Sequence, residues 1–597
     1  MKPESVKGIP YGVSDYSRIR QRNYYYVDKT PFLDKIEKAG DYLFLIRPRR
    51  FGKSLFIAIM ESYYDVLNKD RFEELFKGTW IYEHPTEERG QYLTLVLNFS
   101  AVEPSLDKLD ASFLNHVKGN AVAFVQRYSA FLSNYKEFDY YAQAIKESHS
   151  ASDILSNILT LCKEAGQKLY VLIDEYDNFS NTILSTIGKD AYQNLTHGVG
   201  FFRSFFNILK SGTTRTDSPI SRLFITGVSP VTMDDVTSGF NVGKNISMEP
   251  AFNRMLGFTG NDVIDMIEYY RANGLIKHST EYLLDIMTEW YGNYLFSEYG
   301  DGDITMFNSD MALYFMDNYF TKQEIPKDLI DRNVRIDYRK LRYLVMVDEG
   351  KGKTLNGNFG KLREIVEQGS ISGALVKGFP LEKLSDRENF ISLLFYFGLL
   401  TIKSVEATDL TLAIPNETIR RLFYDYIKEA YEETDIFALD LYQYNNLMKE
   451  MALKGEWRPL FDYIAGRMKE SMSLRDLITG EKSIQAFLNV YLGLSNLYII
   501  HVEREMNKGY ADIVMEPFLA RYEGIKYSYL IEIKYIKKEG KRKPGKPVIQ
   551  SLKAEAEVQL KDYGIDTKLG KSLEKTQLIK LVLIFAGHEL VYLDQAN

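Results

Sequence analysis

One stretch near the amino end, Asp41 to Ile59 (DYLFLIRPRRFGKSLFIAI), limits the folds open to this chain more than any other. Tyr42 to Ile46 is an apolar run of strand length, Arg47-Pro48-Arg49-Arg50-Phe51-Gly52 is a turn, and Lys53-Ser54 opens an apolar helical segment. Strand, loop, Gly-Lys-Ser and helix is the context of a phosphate-binding P-loop. The first N–H groups of a helix lack intrahelical partners, and the helix dipole favours an anion there. On this reading Arg50, Phe51, Gly52, Lys53, Ser54 and Leu55 form the nucleotide-binding loop. Lys53 would reach the β- and γ-phosphates of ATP, and the Ser54 hydroxyl would face Mg²⁺. The pattern G-x-x-x-x-G-K-[ST] wants glycine where Arg47 stands, so a surface loop with a chance Gly-Lys-Ser is the competing reading.

A second segment bears on that choice. Leu169 to Ile173 is a continuous apolar run, as in a parallel strand buried on both faces, and it ends in Asp174-Glu175. Asp174 at such a strand end would hold Mg²⁺ and Glu175 would orient and deprotonate the attacking water. The competing reading is a strand followed by an acidic turn. YLTLVLNF (92–99) and RLFITGVSP (222–230) are further apolar runs, the latter with Thr226 and Ser229 near its exit, placed for γ-phosphate or water contact or merely as turn formers. Four such runs separated by helical stretches, one with Ile154, Leu155, Ile158 and Leu161 on one stripe, predict an α/β parallel sheet with its ligand at the carboxyl ends of the strands. Upstream, Asp28-Lys29-Thr30-Pro31 leads into a short amphipathic helix that either packs or covers the nucleotide base.

At 597 residues the chain has room for several domains. The expected division is a P-loop ATPase domain over 1–248, a helical lid over 249–345, a winged-helix-like module over 346–436 and an α/β domain over 437–597. Arg254, in the lid, either reaches the nucleotide or stays solvated. The net charge of −7 leaves no chain-wide basic footprint, so a nucleic-acid site would have to be local. A single cysteine rules out an intrachain disulfide and a cysteine-based zinc site, and fits the cytoplasm. Without an apolar stretch of about 18 residues, no membrane partner is expected.

The carboxyl-terminal part carries a second constellation. Tyr510-ADIVME and Tyr527-SYLIEIKYI read as successive strands, bearing Asp512 on one and Glu532 and Lys534 on the other. Alternation puts Glu532 and Lys534 on one face with Ile533 opposite, and Asp512 can converge on them. Asp512 and Glu532 would hold Mg²⁺ or Mn²⁺ through hard oxygen ligands, with Lys534 positioning the nucleophile or offsetting charge. The bland alternative is a solvent-facing strand edge. The basic Pro/Gly loop Lys537 to Pro547 adds a phosphate-binding feature. Gln559 on the following helix and Glu503 or Glu505 are further candidates for the same site.

Together these motifs resemble the bacterial AAA-ATPase-like proteins that carry a carboxy-terminal PD-(D/E)XK nuclease-superfamily domain. The resemblance rests on Tyr26-Val27-Asp28-Lys29-Thr30, Arg47-Pro48-Arg49-Arg50-Phe51-Gly52-Lys53-Ser54, Leu172-Ile173-Asp174-Glu175-Tyr176-Asp177, Phe224 to Ser229, Leu256 to Thr259, Trp290 to Ser297, Gly509 to Val514 and Ile531 to Lys534. It makes Arg47 a family trait and implies an AAA-like P-loop ATPase joined to a restriction-endonuclease-like fold. It also implies an ATPase with Mg²⁺ that regulates a metal-dependent nuclease on DNA or RNA, with Glu175, Asp512, Glu532 and Lys534 as catalytic residues, and oligomerisation open. A switch or scaffold that binds nucleic acid or protein without cutting is the alternative. Asn293-Tyr294-Leu295-Phe296 departs from the Gly-Tyr-Arg-Phe usual in the family.

Overall fold

The computed structural model describes residues 6–103, 105, 107–178, 200–214, 218–230, 243–298, 304–339, 347–348, 354–355, 357–380, 383–384, 386–406, 409–471, 474, 477–506, 509–519, 521–537, 544–563 and 575–596. The chain divides into two compact units. One is Met1–Glu324, Asp328–Leu344 and Ser372–Glu417, and the other is Ile325–Lys327, Val345–Ile371 and Thr418–Asn597.

The first unit is built on a five-stranded sheet: β1 (Tyr42–Ile46), β2 (Leu93–Asn98), β3 (Leu169–Asp174), β4 (Ile220–Gly227) and β5 (Lys244–Asn245), in the order β2-β3-β4-β1-β5. Every neighbouring pair is parallel, as the continuous apolar runs require. All six residues of β3 are buried. β4 lies between β1 and β3, so the pairings Ile46↔Gly227 and Ile173↔Ile225 bring the carboxyl ends of three strands level. That is where a parallel sheet binds its ligand. The helix Ala151–Glu164 buries Ile154, Leu155, Ile158 and Leu161, the stripe read from the sequence.

Beyond the sheet the unit is helical, with Gly260–Ala272, Thr280–Tyr291 and Ser309–Lys322. Thr259 caps the first of these through a capping box with Asp262. The helix Arg387–Tyr396 is buried on every side from Asn389 onward, and a hairpin pairs Thr401–Glu406 with Asp409–Ala413. Residues 407–408 of its turn lie outside the described residues. No helix among the described residues is long and apolar enough to cross a membrane.

The second unit has helices Leu441–Lys454, Arg458–Glu470 and Glu481–Leu492 and a mixed sheet: β6 (Tyr498–Met506), β7 (Gly509–Pro517), β8 (Tyr527–Ile536), β9 (Gln577–Ala586) and β10 (Glu589–Gln595), in that order. Only the β8–β9 pair is parallel, and the helix Lys546–Tyr563 makes the crossover such a pair needs. That helix covers the sheet with Ala556 and Leu560 against Val514, Leu530, Val582 and Ile584. Residues 538–543 of the basic loop lie outside the described residues.

The P-loop helix, Lys53–Tyr64, is fixed at its far end by Asp65. This carboxylate is fully buried and accepts from the Leu67 N–H (2.9 Å), the Tyr128 hydroxyl (2.8 Å), the Thr94 hydroxyl (3.3 Å) and the Arg127 guanidinium. Removing one member of a buried charged network leaves the others unpaired. Asp65→Ala is expected to lower the stability of the first unit by roughly 3 kcal/mol or more, read from its denaturant midpoint. A loss below about 0.5 kcal/mol, the level of an ordinary surface substitution, contradicts this role.

Candidate functional site

Gly52 takes φ = 95°, a left-handed value open to glycine, and turns the chain into the helix at Lys53. Arg50 (φ 69°) and Glu175 (φ 49°) take left-handed values without that freedom. Such conformations cost on the order of 1–3 kcal/mol each and persist only where their surroundings impose them. Around Arg50 those surroundings are explicit. Its guanidinium pairs with Asp310 at 2.8 Å and Asp331 at 3.6 Å, and its carbonyl accepts from the Asp310 N–H (3.2 Å) and the Ser309 hydroxyl (3.3 Å). Tyr11 donates to Asp331 at 2.6 Å.

Arg47, standing where the P-loop pattern wants glycine, points into the interior. Only 2% of it is exposed. Its guanidinium lies 4.4 Å from the centre of the Phe296 ring and donates to the carbonyls of Ser247, Phe252 (3.1 Å) and Ile46 (3.2 Å). The Phe51 side chain is also buried, edge-on to Tyr294 and Phe296 at 5.0 and 5.2 Å. Gly257 allows this approach: its N–H donates to the Phe51 carbonyl at 2.9 Å, and a Cβ there would sit 2.7 Å from the Phe307 carbonyl and 2.9 Å from the Phe51 ring.

Lys53 folds back on the loop, donating to the carbonyls of Arg47 (3.0 Å) and Pro48 (2.9 Å). Burial pulls its ammonium below the usual value, while Glu175, Asp174 and Asp177 oppose that shift. Asp174 is 2% exposed and accepts from the Ser54 hydroxyl, the Glu175 N–H (2.9 Å) and Asn98 Nδ2 (3.3 Å). Burial raises both Asp174 and Glu175, with Lys53 pulling each back. A buried carboxylate beside a hydroxyl is an oxygen donor set suited to Mg²⁺. Asp177, 1% exposed, accepts from the Val228 N–H at 3.1 Å and the Ser229 N–H at 2.5 Å, and so fastens the β3 exit to the β4 exit. Thr226 donates to the Leu45 carbonyl at 2.8 Å, so its hydroxyl serves the sheet instead of a phosphate.

Lys53, Ser54 and Glu175 border a cavity of about 440 Å³, whereas Asp174 is not among its lining residues. Its lining includes Arg49, Arg50, Phe51, Gly52, Lys53, Ser54, Leu55 and Glu175, together with Tyr25, Tyr26, Lys29, Met255 and Phe258. The segment before the helix Pro31–Ala39 lines the cavity, and that helix does not. Arg254 is half-buried and is not among the lining residues; its carbonyl accepts from Lys29 at 3.4 Å.

The second constellation lies on β8, the central strand of its sheet. Glu532 is 2% and Lys534 7% exposed, which overturns the solvent-facing-edge alternative. Extending the β7–β8 register by one residue sets Asp512 opposite Glu532. Instead of a ladder bond, the Ile533 N–H donates to Asp512 Oδ2 at 2.7 Å. Lys534 Nζ lies 3.0 Å from Glu532 Oε1 and 3.4 Å from Glu555 Oε1. Burial and the nearby Asp512 hold the Glu532 carboxyl far above its ordinary range, against the pull of Lys534. The buried Glu532 Oε2 has no hydrogen-bond partner, nor has the amide oxygen of Gln559. Acceptors without donors suit a cation. No group of three or more His, Cys, Asp or Glu in metal-holding geometry occurs among the described residues. Mg²⁺ commonly takes only one or two carboxylates, with waters and phosphate oxygens completing its shell. The side chains of Glu503 and Glu505 lie outside the described residues.

Two contributors escaped the sequence reading. Asn98, at the end of β2, reaches Asp174, and an asparagine closing a parallel strand was its only signal. Glu481, at the start of the helix Glu481–Leu492, acts electrostatically on both Glu532 and Lys534. Gln485 of the same helix donates to the Asp512 carbonyl at 2.7 Å. An acidic first turn is too common to have marked Glu481.

Residues 10–237 match the family model described as Predicted AAA-ATPase, and residues 479–595 match that of the PD-(D/E)XK nuclease superfamily. The chain joins an AAA-ATPase-like domain to a PD-(D/E)XK nuclease-superfamily domain. A curated relative, the "Uncharacterized protein in vnfD 5'region" of Azotobacter chroococcum mcd 1, is 25% identical over 297 residues, 49% of this chain and 49% of that protein. The chain thus spans about half the length of this curated relative. The Aeropyrum pernix ORC2 protein, solved as ADPNP-ADP complexes, aligns with 69% of this chain and 98% of its own at 13% identity, with a TM-score of 0.25, too low to speak for the fold.

In the nuclease-superfamily domain the raised Glu532 has a consequence for stability. Its folded pKa lies above its unfolded value, so its protonated form is the one favoured by folding. Metal-free, this group therefore costs stability as pH rises from the unfolded carboxylate value through the raised one, and a bound cation offsets that cost. Mg²⁺ is expected to raise the melting temperature of the second unit more at about pH 9 than at about pH 6. Glu532→Gln should remove the difference. A Mg²⁺ shift that is equal at both pH values contradicts a cation at Glu532.

Proposed function

We propose that the AAA-ATPase-like domain binds and hydrolyses ATP with Mg²⁺, and that its nucleotide state controls metal-dependent cleavage of DNA or RNA at Asp512, Glu532 and Lys534. The observation that carries this reading is a repeated one. Each domain sets a buried lysine among acidic side chains beside its sheet: Lys53 with Glu175 and Asp174, and Lys534 with Glu532. Each set falls inside the matching family model.

In the ATPase reaction Lys53 exchanges its two loop carbonyls for phosphate oxygens. Ser54 and Asp174 hold Mg²⁺, Glu175 orients and deprotonates the attacking water, and Arg49 adds positive charge at the cavity wall. In the nuclease reaction Asp512 and Glu532 hold Mg²⁺ or Mn²⁺, and Lys534 offsets charge on the scissile phosphate. A cation at either site supplies acidified water and charge stabilisation at phosphorus. Holding Glu532 ionised is the protein's task there, and Lys534 at 3.0 Å is the group that favours it. A cytoplasmic setting agrees with the one buried, unpaired cysteine, Cys162.

Two variants assayed on purified full-length protein test this. Asp512→Ala should abolish Mg²⁺- or Mn²⁺-dependent cleavage and leave ATP turnover near normal. Glu175→Gln should lower ATP turnover by roughly a hundredfold or more, the scale of a lost general base, keep ATP bound, and alter the cleavage rate through the nucleotide state. If wild-type protein cuts neither single- nor double-stranded DNA or RNA with either metal, with or without ATP, the nuclease reading fails and binding without cleavage takes its place.

A further inference from the structure

Two lysines on the cavity wall stand among different charges. Lys53 feels Glu175, Asp174, Asp177 and Arg49, the groups of the phosphate end. Lys29 also lines the cavity, yet the charges acting on it are Asp262, Arg254 and Asp28. Its side chain is 13% exposed. It pairs with Asp262 at 3.1 Å and donates to the Arg254 carbonyl at 3.4 Å. Asp262 is itself fixed, accepting the Thr259 N–H at 2.8 Å in the helix cap. An ammonium has three donors, and these bonds use two. Tyr25, Tyr26, Met255 and Phe258 line the same cavity and give it aromatic and apolar wall surface. A cation offering one spare N–H beside aromatic walls suits a planar heterocycle with an in-plane lone pair.

We propose that Lys29 is the base-reading residue of the nucleotide site: held from behind by Asp262 and the Arg254 carbonyl, it donates its remaining N–H to a ring nitrogen of a purine seated against Tyr25, Tyr26 and Phe258. This rests on the reading of the cavity as an ATP site and adds the feature that recognises the base. The two existing bonds fix the ammonium before any nucleotide arrives, so little ordering cost falls on binding. Burial lowers the Lys29 ammonium below its usual value, and the Asp262 carboxylate behind it opposes that shift. Its donors complement the acceptor nitrogens of the base, as the P-loop complements phosphate.

The test separates base from phosphate. Lys29→Met keeps the apolar stem and removes the donors. With Mg²⁺ present, it should weaken ATP by about tenfold or more, the worth of a charged hydrogen bond, and leave inorganic tripolyphosphate within about twofold. Retained tripolyphosphate binding also shows that the variant is folded. Among deaza-ATP analogues, each lacking one ring nitrogen, wild type should bind at least one more weakly than ATP, and Lys29→Met should not distinguish that analogue from ATP. Equal losses for ATP and tripolyphosphate, unchanged ATP affinity in the variant, or a wild type indifferent to every ring nitrogen would each overturn the proposal. A wild type that binds neither ATP nor tripolyphosphate overturns the ATPase reading beneath it as well.

Discussion

Phosphate can be held at a helix start only if the backbone N–H groups before it keep their aim against water and counter-ions, and here that requirement falls on Arg47. Its guanidinium is buried against Phe296 and tied to the Ser247 and Phe252 carbonyls, so the loop is braced from inside. Burying a charge is expensive, and here the two terminal nitrogens find carbonyls while the buried Nε has no hydrogen-bond partner. A glycine-rich P-loop gains its shape from conformational freedom; this loop gains it from contacts. Arg50 completes the arrangement, its left-handed backbone held by Asp310 and Asp331. The shape of the loop is therefore a property of the whole first unit, and not of the strand and helix that flank it.

The second site meets a related problem by other means. Glu532 sits on a central strand where water cannot solvate it, beside Asp512 and within reach of Glu481. Alone, such a cluster disfavours its own charge. Lys534, two residues on and on the same face, restores part of the balance at 3.0 Å. The orphaned Glu532 Oε2 marks what is still lacking, a positive ligand. Apolar residues in these positions would pack more cheaply, which is why the cluster reads as a site kept for chemistry.

Much of this was legible in the chain. Long apolar runs ending in Asp174-Glu175 or leading into Gly52-Lys53-Ser54 fix strands, faces and strand ends, because parallel strands buried on both sides leave a continuous signature. Lys534 and Glu532 follow from alternation alone. Several features were illegible for physical reasons. β5 is two polar residues, Lys244 and Asn245, held by backbone pairing to β1 and carrying no periodicity. β10 alternates weakly and is mostly half-buried. The placement of β4 between β1 and β3 is a matter of pairing that no local pattern records. The placing of Arg47 and Arg50 depends on partners 200 to 281 residues away, Ser247, Phe252 and Phe296 for the first and Asp310 and Asp331 for the second. Asn293 takes φ = 68°, a left-handed value that asparagine adopts more readily than most residues and that no periodicity announces.

The account stands on an arginine-braced loop gripping ATP. Calorimetric titration of the full-length protein with ATP and Mg²⁺ tests that directly. It predicts saturable binding at one site per chain in the wild type, lost in Lys53→Ala while the variant still unfolds in a cooperative transition. Absence of ATP binding by wild type, or equal binding by Lys53→Ala, would contradict it.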